Sequence, residues 1–381
     1  MHLTFSDPAV RVVELRARPL AVALRDPFVI ASARMEATRA MTVVCVIEDA
    51  RGVRATGLGE AATLPPVTDE DEHAVAANID RVRPALVGAR FDTLFGDDAP
   101  TPLDVLLGAA PVTRAAIESA LLDAFARLRS VPLGDLFAGR AALPFTCETD
   151  VTLPITESPP AMRVLAERWW ARGFRVFKVK VGRDIAHDLA CLAAVHDVLP
   201  TASYVLDANG GYTASEALHL LEVLLDGGLR IACLEQPCAR ADLAGMIAVT
   251  ARSSVPVIAD ESLRTPEDLA QIIESRAAHG VNLKLVKHGG PLAALALGRA
   301  ALEAGLSVMA GAMVETRLGL STMGHVVAAL SVDDPHAVSF IDLDTAFLLA
   351  GDPFVGGYRN EGDGPRLTFE RGVGHGVTLV G

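Results

Sequence analysis

Between residues 177 and 287, short apolar runs rich in β-branched residues alternate with amphipathic segments, and each run ends in charged residues. The runs are FKVKV (177–181), YVLDAN (204–209), ACLEQP (232–237), VIADES (257–262) and VNLKLVK (281–287). This alternation predicts parallel strands separated by helices. It extends in both directions, with a first strand predicted over residues 145–153, a seventh over 306–310 and an eighth over 338–342. Ser158 before Pro159, Thr213 with Glu216, and Thr265 before Pro266 supply helix starts at the expected spacing. A series of this kind closes into a barrel whose strand C-termini share one mouth.

The pattern upstream is different. Residues 10–25 and 41–60 read as antiparallel strands, with a turn at 49–52. Between them lies a predicted loop, 26–39, which begins next to Pro27 and carries Arg34 and Arg39. A second loop, 61–68, contains Pro65 and Pro66, and helical periodicity follows over 69–90 and 111–129. The predicted class is α/β: a modified (β/α)7β barrel with an N-terminal α+β capping domain. The cap is placed at 1–127, the barrel at 128–345, and a glycine-rich C-terminal segment at 346–381 is expected to return to the cap.

Composition narrows the function. Of 381 residues 51% are hydrophobic, enough for a barrel core and its ring of helices. The net charge of -13, from 34 Lys+Arg against 47 Asp+Glu, argues against binding a nucleic-acid backbone, which needs clustered positive charge. No apolar run is long enough to cross a bilayer. Five scattered cysteines read as reduced thiols, and the first residues, MHLTFSDP, lack a secretory pattern, so a cytoplasmic location is expected.

The strand ends carry the chemistry. Asp207, Glu235 and Asp260 each follow an apolar run directly and would meet at the mouth. Three buried carboxylates repel one another unless a cation joins them, and hard oxygen donors suit one Mg²⁺ per subunit. Asn209 and Glu261 stand one step further out, suited to orient those ligands. Lys178 and Lys180 alternate, so both point to one face, and the first is expected to depress the pKa of the second. Lys284 arrives from the other side, whereas Lys287 is expected to leave the strand. A metal flanked by two opposed amines is a site for moving a proton on and off carbon. A binding scaffold without catalysis would have no use for so complete a set of costly buried charges.

The order of KVK (178–180), DAN (207–209), EQP (235–237), ADE (259–261) and NLKLVK (282–287) resembles the enolase superfamily, in particular its muconate-lactonizing-enzyme subgroup. The resemblance implies a lysine base working with Mg²⁺ on an ene-diolate. Met313-Val314-Glu315-Thr316 and Asp342-Leu343-Asp344 are similar to elements of dipeptide epimerases. There the paired aspartates hold the substrate's α-ammonium. On that resemblance Lys180 and Lys284 are the catalytic pair, assisted by Lys178, and Asp342, Asp344, Glu315 and Arg34 bind the substrate, with Arg39 the alternative to Arg34. Two carboxylates at the mouth favour a cationic amine, since one unit pair at about 6 Å and an effective dielectric near 20 is worth roughly 3 kcal/mol. The implied reaction is Mg²⁺-dependent epimerisation of a dipeptide by a homo-oligomer, with L-Ala-L-Glu to L-Ala-D-Glu as the leading substrate. N-succinylamino-acid racemase, o-succinylbenzoate synthase and cycloisomerase activities on the same scaffold are the alternatives.

Overall fold

Three antiparallel strands, β1 (Arg11–Val29), β2 (Arg34–Glu48) and β3 (Arg54–Thr63), open the chain in the order β1-β2-β3. The computed structural model describes residues 7, 9–30, 33–95 and 100–380. The loop expected over 26–39 is instead largely strand: β1 runs on to Val29 and pairs Phe28 with Met35 and Val29 with Arg34. A register shift between Ala23 and Phe28 absorbs Pro27, which has no N–H to give to a ladder. Residues 31 and 32 lie outside the described set. At the other end of β2, Asp49 closes the predicted turn by accepting from the amides of Arg51 and Val53.

Helices α1 (Glu72–Leu86), α2 (Phe91–Leu94), α3 (Pro102–Leu107), α4 (Pro111–Leu128) and α5 (Leu133–Ala138) follow. Helix α4 lies directly on β3. Gly57 and Gly59 permit this, because a side chain at either would strike the Ala120 or Ala116 carbonyl. Of the fifteen residues from Val112 to Ala126 in α4, all but Arg114 are buried, so this helix serves as the floor between cap and barrel.

The predicted first strand is split. Its first part, β4 (Phe145–Glu148), pairs with one strand near the C-terminus, and only β5 (Val151–Leu153) enters the barrel. Strands β6 (Val176–Lys180), β7 (Ser203–Asp207), β8 (Arg230–Glu235), β9 (Val257–Ala259), β10 (Gly280–Leu283), β11 (Ser307–Gly311) and β12 (Val338–Asp342) complete eight strands in sequential order. The helices between them are α6 (Pro159–Ala171), α7 (Ile185–His196), α8 (Ala214–Asp226), α9 (Leu243–Arg252), α10 (Pro266–Ser275), the short α11 (Leu285–His288), α12 (Pro291–Glu303) and α13 (Arg317–Leu330). After β12 comes only α14 (Thr345–Leu348), so the unit count is seven β/α pairs and a final strand.

First and last strands meet at a seam. The Asp150 amide donates to the Ile341 carbonyl (3.0 Å), and the Leu343 amide to Thr149 Oγ1 (2.8 Å). Parallel register sets Lys180 beside Asp207 and Asp207 beside Glu235. Two residues back on the same face, Val205, Cys233, Ile258 and Met309 form a separate buried apolar layer. This layer plugs the barrel directly beneath the charged row. The tail forms β13 (Phe354–Gly356) with β16 (Val377–Leu379), and β14 (Tyr358–Asn360) with β15 (Arg366–Phe369), the latter pairing with β4. It also reaches α4 and β3: the His375 amide donates to Asp123, His375 Nε2 contacts the Leu58 carbonyl, and Arg127 donates to the Val377 carbonyl.

Candidate active site

The strand ends β6 to β10 deliver the charged side chains to one buried cluster. Lys178, Asp207, Glu235, Asp260 and Lys284 are all at most 4% exposed, and Lys180 is 6% exposed. Lys180 Nζ lies 2.5 Å from Asp207 Oδ2, and Lys284 Nζ lies 2.7 Å from Asp260 Oδ2. Lys178 stands at the centre, 2.7 Å from Glu235 Oε2, 2.7 Å from Asp342 Oδ2 and 3.2 Å from Asp207 Oδ2. Burial opposes its charge, but Asp342, Glu235, Asp207 and Asp150 outweigh that and hold the amine well above its ordinary range. Asp207 is pulled to about 2: burial would raise it, but Lys180 and Lys178 prevail. Glu235 is raised, by burial and by Asp207 beside it.

The residues around the acids fix their orientation. Asn282 donates to Glu235 Oε1 (2.8 Å). Gln236, buried at the end of β8, accepts from the amides of Asp260 and Ser262 and so holds the end of β9. Asn209 donates to Glu261 (3.1 Å), and its amide caps Asp207 Oδ1. Asn209 thus links Glu261 to Asp207 in the acid row. Gln236 and Asn282 fall inside the EQP and NLKLVK runs, but the sequence assigns them no role, because a neutral amide beside an apolar run carries no distinguishing pattern.

Lys287 differs from expectation. It leaves the strand, as predicted, but the turn of α11 folds its amine back onto Asp260 Oδ1 (2.6 Å), the Asp260 carbonyl (2.6 Å) and the Asn282 carbonyl (2.7 Å). Burial lowers its pKa, partly countered by Asp260, whereas Lys284 is raised by Asp260 against its own burial. Geometry separates their roles. All three Lys287 protons are engaged, while Lys284 faces an interior cavity together with Lys180.

That cavity is lined by Lys180, Lys284 and Asp260, and also by Asp342, Asp344 and Thr152. Its roof is apolar: Phe28 and Ile30 from the β1–β2 hairpin, Leu64 and Val67 from the loop after β3, and Ala312, Met313 and Val314 after β11. Asp344 Oδ2 accepts the Thr152 amide (2.5 Å), and its pKa is pushed up to about 7 by burial and by Asp342. Asp150, which no motif singled out, joins this pair, and one carboxylate oxygen from each of the three lies within 4.8 Å of the others.

Two predicted substrate contacts fall outside the cavity. Arg34 is exposed, pairs with Glu36 (3.3 Å) and lines a separate surface groove with Arg39 and His73. It is fixed there because it belongs to the β2 ladder and not to a free loop. Glu315 is buried behind the cavity wall, both of its oxygens without a hydrogen-bond partner, with a pKa raised to about 8 by burial and then by Glu60.

Asp207, Glu235 and Asp260 are buried hard oxygen donors from adjacent strands, and their charge is matched by Lys178, Lys180, Lys284 and Lys287. Among the described residues, the carboxylate trio drawn within 4.8 Å is Asp150, Asp342 and Asp344, not this set, whose oxygens are taken by lysine amines. The chemistry of the three donors fits Mg²⁺. A cation held there would compete with Lys180 and Lys284 for Asp207 Oδ2 and Asp260 Oδ2 and release those two amines.

Fold and sequence comparison agree on the class. The Mandelate racemase / muconate lactonizing enzyme, N-terminal domain model matches residues 12–138, and the Enolase C-terminal domain-like model matches 161–380. The chain belongs to this mandelate racemase/muconate lactonizing enzyme family of the enolase superfamily, and it is an isomerase. It is 35% identical to an L-Ala-D/L-amino acid epimerase of Populus trichocarpa, over 96% of this chain and 84% of that protein. It is also 35% identical to an aromatic dipeptide epimerase of Herpetosiphon aurantiacus, over 96% and 98%. The structure of a substrate-liganded L-Ala-D/L-Glu epimerase from Bacillus subtilis superposes with a TM-score of 0.85 at 28% identity, covering 97% of this chain and 99% of that one. A dipeptide epimerase from Enterococcus faecalis complexed with Mg and L-Leu-L-Tyr gives 0.84 at 27%, with 97% and 99% covered.

Proposed function

We propose that this protein epimerises dipeptides by removing and returning the α-proton of the C-terminal residue. The observation that carries the reading is one cavity lined by two lysines, Lys180 and Lys284, and by a pair of aspartates, Asp342 and Asp344. Lys180 on β6 and Lys284 after β10 are separated by three intervening strands, so they address a bound ligand from different sides of the barrel. One amine takes the α-proton, the electron pair moves into the adjoining carboxylate to give an enolate, and the other ammonium returns a proton to the opposite face. Asp342 and Asp344 hold the free α-amine and so fix which carbon lies between the lysines. A Mg²⁺ on Asp207, Glu235 and Asp260 would supply the positive charge that stabilises the enolate. The apolar roof keeps water from the exposed α-carbon.

The same roof bears on the substrate's side chain. Among the described residues, seven apolar side chains line the cavity and no arginine does, which supports an L,L-dipeptide with an apolar C-terminal residue. L-Ala-L-Glu requires Arg34 or Arg39 to turn inward from the surface groove. N-succinyl amino acids would bring a carboxylate, not an ammonium, towards Asp342 and Asp344. The test is kcat/KM for L-Ala-L-Glu, an apolar L,L-dipeptide and an N-succinyl amino acid. The apolar dipeptide should be preferred, and preference for the succinyl compound would replace this reading by the racemase alternative.

A further inference from the structure

Asp150 stands at the barrel seam, 4% exposed, between β4 and β5. Its backbone amide is tied to Ile341, which places its side chain beside the end of β12. Its Oδ1 has no hydrogen-bond partner, and a carboxylate oxygen lies within 4.8 Å of oxygens of Asp342 and Asp344. Neither Asp150 nor Asp344 has an ion pair among the described residues, and the Lys178 amine beside Asp342 is shared with Glu235 and Asp207. Three acids thus converge where barely one cation serves them.

We infer that Asp150 is a positioning residue for the amine end of the substrate, a third carboxylate that makes the seam a receptor for a protonated primary amine. The inference rests on the dipeptide reading above. An ammonium group offers three N–H donors and one positive charge, which suits a group of carboxylates that repel one another without a cation. Only Asp342 and Asp344 face the cavity. Asp150 therefore acts from behind them, adding negative potential and limiting where their oxygens settle. A neutral acyl-amide at the same place would leave all three acids uncompensated, so Asp150 sharpens the choice of free amine over acylated amine. Burial and the two neighbouring aspartates also favour a proton on Asp150 when no amine is present, consistent with a group that waits for a cation.

The test compares wild type with Asp150→Asn, an isosteric change, on a free-amine L,L-dipeptide and its N-acetyl counterpart, measuring Kd by calorimetry and KM and kcat by exchange of the α-proton. Expected is a rise of about tenfold in Kd and KM for the free amine, on the scale of one charged contact, with kcat within about twofold and the N-acetyl ligand unaffected. Asp150→Glu should recover part of the loss, and if the asparagine variant does not fold the comparison is read on Asp150→Ser. Unchanged KM for the free amine, or an equal loss for both ligands, overturns the inference. Two Mn²⁺ bound per wild-type chain and one per Asp150→Asn chain would make the seam a metal site and overturn it as well. A wild-type protein that binds no free-amine dipeptide sinks the dipeptide reading and this inference together. Wild-type binding that survives intact in the asparagine variant sinks the inference alone.

Discussion

The Lys287 amine lies 2.6 Å from Asp260 Oδ1, although Lys287 belongs to a helix that begins only after the strand leading to Lys284 has ended. Asp260 is gripped from two sides, by Lys284 on one oxygen and Lys287 on the other. Because Lys287 spends its remaining protons on two carbonyls, its role is to orient Asp260. Lys287→Met should therefore weaken divalent-cation binding and raise KM while α-proton exchange persists. Complete loss of exchange in Lys287→Met, with exchange retained in Lys284→Ala, would show that the base has been assigned to the wrong lysine.

Lys180 and Lys284 should fail in different ways. Each alanine variant should stop net inversion, since a proton must be taken on one side and returned on the other. Each should still wash the α-proton out of one epimer, because the remaining amine reaches its own side. Deuterium incorporation from the L,L- and the L,D-dipeptide, measured separately, checks this. Equal residual exchange from both epimers in both variants would contradict a division of labour.

Asp342→Asn removes one charge from the amine end of the cavity. Loss of a charged hydrogen bond is expected to lower kcat/KM for free-amine dipeptides by about 1–3 kcal/mol, while an N-acyl substrate changes little. Equal losses for both would mean that the effect runs through Lys178, which donates to Asp342 Oδ2 at 2.7 Å.

The strand ends are plain in the sequence, and the contacts across the seam are not. Asp207, Glu235, Asp260, Lys178 and Lys180 are legible because a strand's period of two and its abrupt end force them onto the inner face at the mouth. Strand β12 matches its expected bounds for the same reason. Residues 26–39, at the tip of the β1–β2 hairpin, read as a loop because Pro27 and the charges at Asp26, Arg34 and Arg39 look like punctuation. They sit instead on a bulged, exposed ladder, where both are tolerated. Asp150 was invisible for another reason. Its partners Asp342 and Asp344 are about 190 positions away, and no local pattern reports the closing of a seam.

Glu118 gives a pH-dependent test of the packing between cap and barrel. It is 1% exposed on α4, accepts the Leu292 amide at the start of α12 and has a pKa raised to about 7, by burial first and against the pull of Arg114. A folded-state pKa above the unfolded value of 4.5 means that the folded protein binds the proton more tightly. That stabilisation is fully present below about pH 4.5, declines as pH rises through about 7, and is absent above. Glu118→Gln keeps the acceptor and carries no charge. It should be nearly neutral in stability at pH 4.5 and stabilising by about 1–3 kcal/mol at pH 8. Denaturant unfolding at the two pH values measures the difference, and a constant difference would mean that Glu118 is ionised throughout.

The central claim is that the two-lysine cavity inverts an amino-acid α-carbon by exchanging its proton. The most direct measurement follows an apolar L,L-dipeptide in D₂O by proton NMR, in enzyme treated with chelator and then resupplied with Mg²⁺. The expected result is loss of the α-proton signal of the C-terminal residue alone, appearance of the L,D-epimer carrying deuterium at that carbon, arrest on chelation and recovery with Mg²⁺. Inversion without deuterium, exchange at the N-terminal residue, or undiminished exchange in the Lys180→Ala, Lys284→Ala double variant would contradict it.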